Sequence, residues 1–154
     1  MKKNTGFAAL KMIHIALLAG QVLFAGVIFY LVNSKAIKPV FTAQDRTFQL
    51  IAIVMAAAAY FIGANIFKTK LAQIRSDENS TTQEKFIKYR TACIIQWALL
   101  EAATLFCIIS FFLIGNFSFA ALAVLLIILF AMQAPAKSKM ALQLGINTEA
   151  VEEL

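Results

Sequence analysis

Residues 94–114, IIQWALLEAATLFCIISFFLI, form an unbroken apolar run with a single carboxylate, Glu101, near its middle. About 20 apolar residues, each rising 1.5 Å along a helix, cross a hydrocarbon core of roughly 30 Å. A carboxylate halfway across such a core costs free energy unless it is protonated, paired or put to use. The run therefore predicts an all-α, polytopic membrane protein, and it makes Glu101 the residue any functional reading must explain.

The rest of the chain agrees. The sequence is 61% hydrophobic and 14% charged. Ordinary soluble domains are about 45–50% apolar and about 25% charged. Four transmembrane helices are expected at about 8–32, 48–67, 91–114 and 117–134, arranged as two tandem hairpins in a single membrane domain, 1–154. The opening MKKNT has the look of a signal-peptide n-region. However, Lys11 and His14 interrupt the apolar run, which then continues to Val32 without a small-residue cleavage site, so it reads as a retained first span. Pro39 marks non-helical backbone in the first connector. In the polar segment 68–90, Thr81 and Glu84 have capping-box spacing, which starts a helix there. Gly115-Asn116 is a two-residue break. In the tail, 135–154, a short helix is expected after Asn147.

Charge sets the orientation. The net charge is +6, from 14 Lys and Arg against 8 Asp and Glu. Eleven of the basic residues fall in the amino-terminal segment, the 68–90 loop and the tail, and three in the 33–47 connector. Positive residues remain on the cytoplasmic side, so both termini are expected to be cytoplasmic in the cell inner membrane. This placement, without a basic aromatic motif, argues against nucleic acid as a partner. Cys93 and Cys107 sit fourteen residues apart on one run. That is about 21 Å along a helix, beyond disulfide reach, so both read as packing residues.

The chain also repeats itself. A shift of 82 residues superposes ALL on ALL and LF on LF between spans one and three. A shift of 69 brings Phe61 onto Phe130 and KTKLA onto KSKMA. Both hairpins would enter from one side, making a parallel repeat rather than an inverted one. Small residues recur at four-residue spacing as Ala16 and Gly20, Ala52 and Ala56, Ala59 and Gly63, and Ala98 and Ala102. Such pairs let helices approach closely in lipid and are the expected helix-packing positions.

Depth arithmetic groups the polar residues. Glu101 lies about 16 Å below Arg90, and Gln21 about 15 Å below Lys11 on the parallel first span. Thr104 shares the Glu101 face, and Tyr60 lies about 12 Å from Lys68, close enough in depth to join them. Glu101, Gln21, Thr104 and Tyr60 are the candidate proton- or cation-binding set. In one reading Glu101 takes up a proton, or with Gln21 and Thr104 holds a small cation. In the other it stays protonated and hydrogen-bonds another helix or a partner subunit. His14 and Gln96, equivalent in the repeat, are expected to meet headgroups or water near the cytoplasmic interface. Trp97, about 10 Å below Arg90, is deep enough for a packing role. Lys68, Lys70, Lys137 and Lys139 have two readings, contact with anionic lipid and topology anchoring, and anchoring is the simpler. The sequence holds no nucleophile–base pair, phosphate loop, metal-ligand spacing or haem ligand pair, so no enzyme activity, cofactor or metal is expected.

Two tandem hairpins with a mid-span glutamate resemble the duplicated proteolipid c subunits of rotary ATPases. That resemblance implies a ring of many copies and a carboxyl group, here Glu101 with Gln21 and Thr104 as ligands, that carries a proton or sodium ion. The acid of that family lies on the last helix of a hairpin, whereas Glu101 lies on the first helix of the second. The chain also resembles small uncharacterised four-span bacterial membrane proteins with an ALLE motif in the third span, here Ala98 to Glu101, a likeness that supplies no activity. The leading expectation is a structural or accessory subunit that associates with itself or other membrane proteins within the bilayer. The alternative is an oligomeric proton- or cation-coupled transporter or ion-binding subunit.

Overall fold

A computed structural model describes residues 5–35 and 45–146. These residues form five helices: α1 (Thr5–Asn33), α2 (Asp45–Ser76), α3 (Thr82–Ile114), α4 (Phe117–Ala131) and α5 (Lys137–Leu144). Helices α1, α2 and α3 are long and apolar enough to cross a membrane. Helix α4 is as apolar but has 15 residues, about 22 Å of rise.

Helix α3 is the centre of the bundle. Half of its most apolar stretch is buried, against 22% for α2 and 11% for α1. It packs against α1, α2 and α4, whereas α1 meets α3 and α4 and touches α2 only marginally. Sequence neighbours α1 and α2 are therefore held together through α3 rather than as a close pair.

The ends of the helices follow from their local chemistry. Thr81 starts α3 through a complete capping box. The Glu84 carboxylate accepts the Thr81 N–H at 2.8 Å, and the Thr81 hydroxyl accepts the Glu84 N–H at 3.3 Å. Gly115 ends α3 in the left-handed region, φ 78°, where a Cβ would be strained. Asn116 then starts α4 by accepting the Ser118 N–H at 2.9 Å, and its amide donates to Asp45 on α2 at 2.8 Å.

Most of the polar stretch 68–90 is helical. Helix α2 continues to Ser76 and α3 begins at Thr82, leaving only 77–81 as the turn. Lys88 clamps that turn, meeting the Asp77 carboxylate at 2.7 Å and Ser80 at 3.0 Å. The two hydrogen bonds and the Lys88 charge pull the Asp77 carboxyl down from 3.8 to about 2.

The tail also holds a helix that was not expected from the sequence: α5 occupies Lys137–Leu144. The helix expected after Asn147 falls outside the described residues, as does Pro39. Met140, Ala141 and Leu144 bury one face of α5 in the core. Arg75 of α2 donates to the carbonyls of Leu142, at 2.9 Å, and Gln143, capping the carboxyl end of α5. Tyr89 of α3 adds a 2.9 Å bond to the Gln143 side chain.

Candidate functional site

The site is built along the seam between α1 and α3. On α1 the most buried positions include Phe7, His14, Gln21 and Ile28, none more than 8% exposed. Their seven-residue spacing is the heptad of a packed helix seam. Two ring pairs set the register. His14 meets Trp97 at 4.8 Å between centroids, and Phe29 meets Phe111 at 6.3 Å. The helices therefore run parallel, with residue 14 level with 97 and 29 with 111. Gln21 comes level with 103–104, so the buried Thr104 belongs to the same layer.

His14 does not face headgroups or water, contrary to the reading of its sequence context. It is 2% exposed, stacked on Phe130 at 4.8 Å, with Nε2 3.1 Å from the Phe130 carbonyl. The heptad places it inward, and the aromatic rings of α3 and α4 close around it. Trp97 is 1% exposed and packs in this same box. The box was the part missed from sequence, and the period 7, 14, 21, 28 was the signal that could have found it.

Thr104 is fully buried and donates to the Leu100 carbonyl at 2.8 Å, a local bond within its own helix. Gln21 is 1% exposed, and neither its side-chain oxygen nor its nitrogen has a hydrogen-bond partner among the described residues. A buried amide without partners costs about 1–3 kcal/mol, so this layer is an energetic weak point.

Glu101 is half-buried and has no hydrogen-bond or ion-pair partner among the described residues. At 100° per residue it lies about 60° around α3 from Ala98. Ala98 and Ala102 are exposed, as is Ile109 further along the same stripe. This stripe runs between the side of α3 that meets α2, through Leu99 and Phe106, and the side that meets α1, through Trp97. The carboxyl group thus stands at the edge of an open, small-residue face at mid-helix.

Tyr60 is not part of this group. It is 40% exposed and its ring packs on neighbouring Phe61. The antiparallel pairs Phe48–Phe106 and Phe67–Tyr89 set the α2–α3 register. They place Tyr60 level with residues 94–96, about one and a half to two turns from Glu101. Depth alone suggested the grouping, but Tyr60 lies on the outer side of α2. The small-residue positions divide in the same way. Ala52, Ala56, Ala59 and Gly63 are buried on α2, where a Cβ on Gly63 would lie 3.5 Å from Gln96 of α3. Ala16 and Gly20, with Ala98 and Ala102, are exposed. Cys93 and Cys107 are free and buried.

The structure thus gathers a buried amide and a buried hydroxyl in one layer of the α1–α3 seam, with a carboxyl group on the flank of α3. Together they offer hydrogen-bond donors and acceptors in an apolar setting. No family model matches the chain, and no curated protein or solved structure matches it either.

Proposed function

We propose that this chain is a structural or accessory subunit that associates with a second copy or another membrane protein inside the bilayer, through the open face of α3. The observation that carries this reading is the partnerless carboxyl group of Glu101 beside exposed Ala98 and Ala102. In lipid, small residues let another backbone come close, and a protonated carboxyl group gains a bond that hydrocarbon cannot supply. The finer topology belongs to the same proposal. The chain crosses four times, with α4 completing the crossing despite its length, and both termini are cytoplasmic in a cell inner membrane. The parallel α1–α3 register, residue 14 level with 97, lies close to the 82-residue repeat and supports a relation between the first and third spans.

The test is association of the full chain in lipid vesicles, read by single-molecule colocalisation of labelled protomers. Glu101→Ala and Ala102→Leu should each weaken association by roughly threefold to tenfold. Glu101→Gln, which keeps a hydrogen-bonding group, should weaken it less. Association unchanged in all three variants would sink the proposal.

A second reading rests on Gln21, whose partnerless amide shares a layer with Thr104. Here the protein is an oligomeric proton- or cation-coupled transporter, with Glu101 as the titrating group. Proton flux in the same vesicles, abolished by both Glu101→Gln and Gln21→Leu, would put this reading first.

A further inference from the structure

Away from Glu101, a crevice of about 390 Å³ lies between the loop-proximal parts of α2 and α3. It is lined by Lys70 and Gln73, neighbours on one face of α2, and by Asp77 where the turn begins. Across from them stand Lys88 and Thr91 of α3. The 77–81 turn and the Asp77–Lys88 ion pair close its far end.

Its charges are not balanced. Lys88 already serves Asp77 and Ser80. Lys70 has no hydrogen-bond or ion-pair partner among the described residues. The crevice therefore has a net charge of one positive unit, beside an amide and a hydroxyl, matching a singly charged phosphodiester with free oxygens to accept hydrogen bonds. Its depth matches as well. The apolar part of α2 gives way to polar sequence at Lys68, and Thr91 opens the apolar run of α3. Lys70 and Thr91 therefore stand where the hydrocarbon core meets the headgroup layer, and basic pockets between helices at that level suit lipid phosphates.

We propose that this crevice binds a phosphate group, supplied by the headgroup of an anionic phospholipid and held by Lys70, Lys88, Gln73 and Thr91. The site rests on the reading of α2 and α3 as membrane spans, but not on the partner face. It lies nearer the loop than Ala98 and leaves the Ala98–Ala102 stripe free.

The test uses the full chain in nanodiscs of phosphatidylcholine doped with phosphatidylglycerol. Phosphatidylglycerol retained through detergent extraction is counted by native mass spectrometry, with and without millimolar inorganic phosphate. Lys70→Gln, which removes one charge-assisted contact to the phosphate, should lower retention roughly fivefold. Lys68→Gln removes the same charge outside the crevice and should change retention little. Displacement by inorganic phosphate that depends on Lys70 would keep the phosphate site and assign it to the free ion. Equal losses in both variants would mean general surface attraction and overturn the site, as would no loss in either. A chain that fails to enter nanodiscs at all would instead overturn the membrane reading.

Discussion

Helix α3 is shared by two seams of opposite character. Toward α2 it meets Ala52, Ala56, Ala59 and Gly63, four small residues that are all buried. Toward α1 it meets Phe7, His14, Gln21 and Ile28, a row of larger side chains that includes two polar ones. The α2 seam brings two backbones close together over most of their length. The α1 seam is held wider by rings and contains an amide without partners. Small residues therefore mark close packing only where a neighbouring helix reaches them. The same spacing at Ala98 and Ala102 marks a surface that the chain itself leaves uncovered.

Breaking the close seam should give the largest effect. Gly63→Leu forces a branched chain toward Gln96 and Leu99, whose atoms already lie 3.5 and 3.6 Å from an added Cβ. Overpacking of this kind costs about 1–3 kcal/mol, measurable as a lower midpoint in detergent-based unfolding. Gly63→Ala meets only ordinary van der Waals distances and should leave the midpoint unchanged or raised. If both substitutions behave alike, the seam is not as close as described.

The wide seam should respond in the opposite direction. Gln21→Leu removes the partnerless amide and keeps similar volume, so it should stabilise the fold by about 1 kcal/mol in the same assay. A loss of stability would show that the amide makes a bond essential to the seam and would reverse the contrast.

The smallest effect concerns the 77–81 turn, which joins only the members of the close seam. The Asp77 carboxyl is held at about 2 in the fold, below its ordinary 3.8. Its contribution is complete above about pH 4 and is lost as the pH falls toward about 2, because the unfolded chain takes up the proton first. The protection of the turn amides, taken relative to their intrinsic exchange rates at each pH, should fall across that window. Asp77→Asn should remove the dependence, while α1 amides show none in either protein.

Much of this was legible in the sequence. The capping box at Thr81 and the break at Gly115-Asn116 are signals in which a few side chains or one backbone conformation decide the structure. The α2 small residues were legible for a similar reason, since their spacing keeps them on one face. What sequence depth could not supply was direction around the helix. Tyr60 follows Ala59, yet one step rotates it about 100° out of the seam. His14 lies three residues after Lys11, which suggests an interface, but its place in the heptad points it at Trp97 and Phe130. Helix α5 was missed because its apolar face is only Met140, Ala141 and Leu144, too short a pattern to stand out beside Lys137 and Lys139.

The bond from His14 to the Phe130 carbonyl has a mechanical consequence. Among the described residues it is the one side-chain hydrogen bond that ties α1 to another helix. The starts of α2 and α4 are pinned together at Asp45 and Asn116, and α5 is bolted to α2 and α3. Helix α1 is thus a lever with its pivot near one end. From His14 to Asn33 the arm is about 28 Å, so a tilt of about 5° moves its tip by roughly 2.5 Å. Beyond His14 the arm is held by apolar packing, chiefly buried Ile28 and the ring contacts of Phe29, with no side-chain hydrogen bond to another helix among the described residues. Motion in this molecule should collect at the far end of α1, while the other helices move as one block.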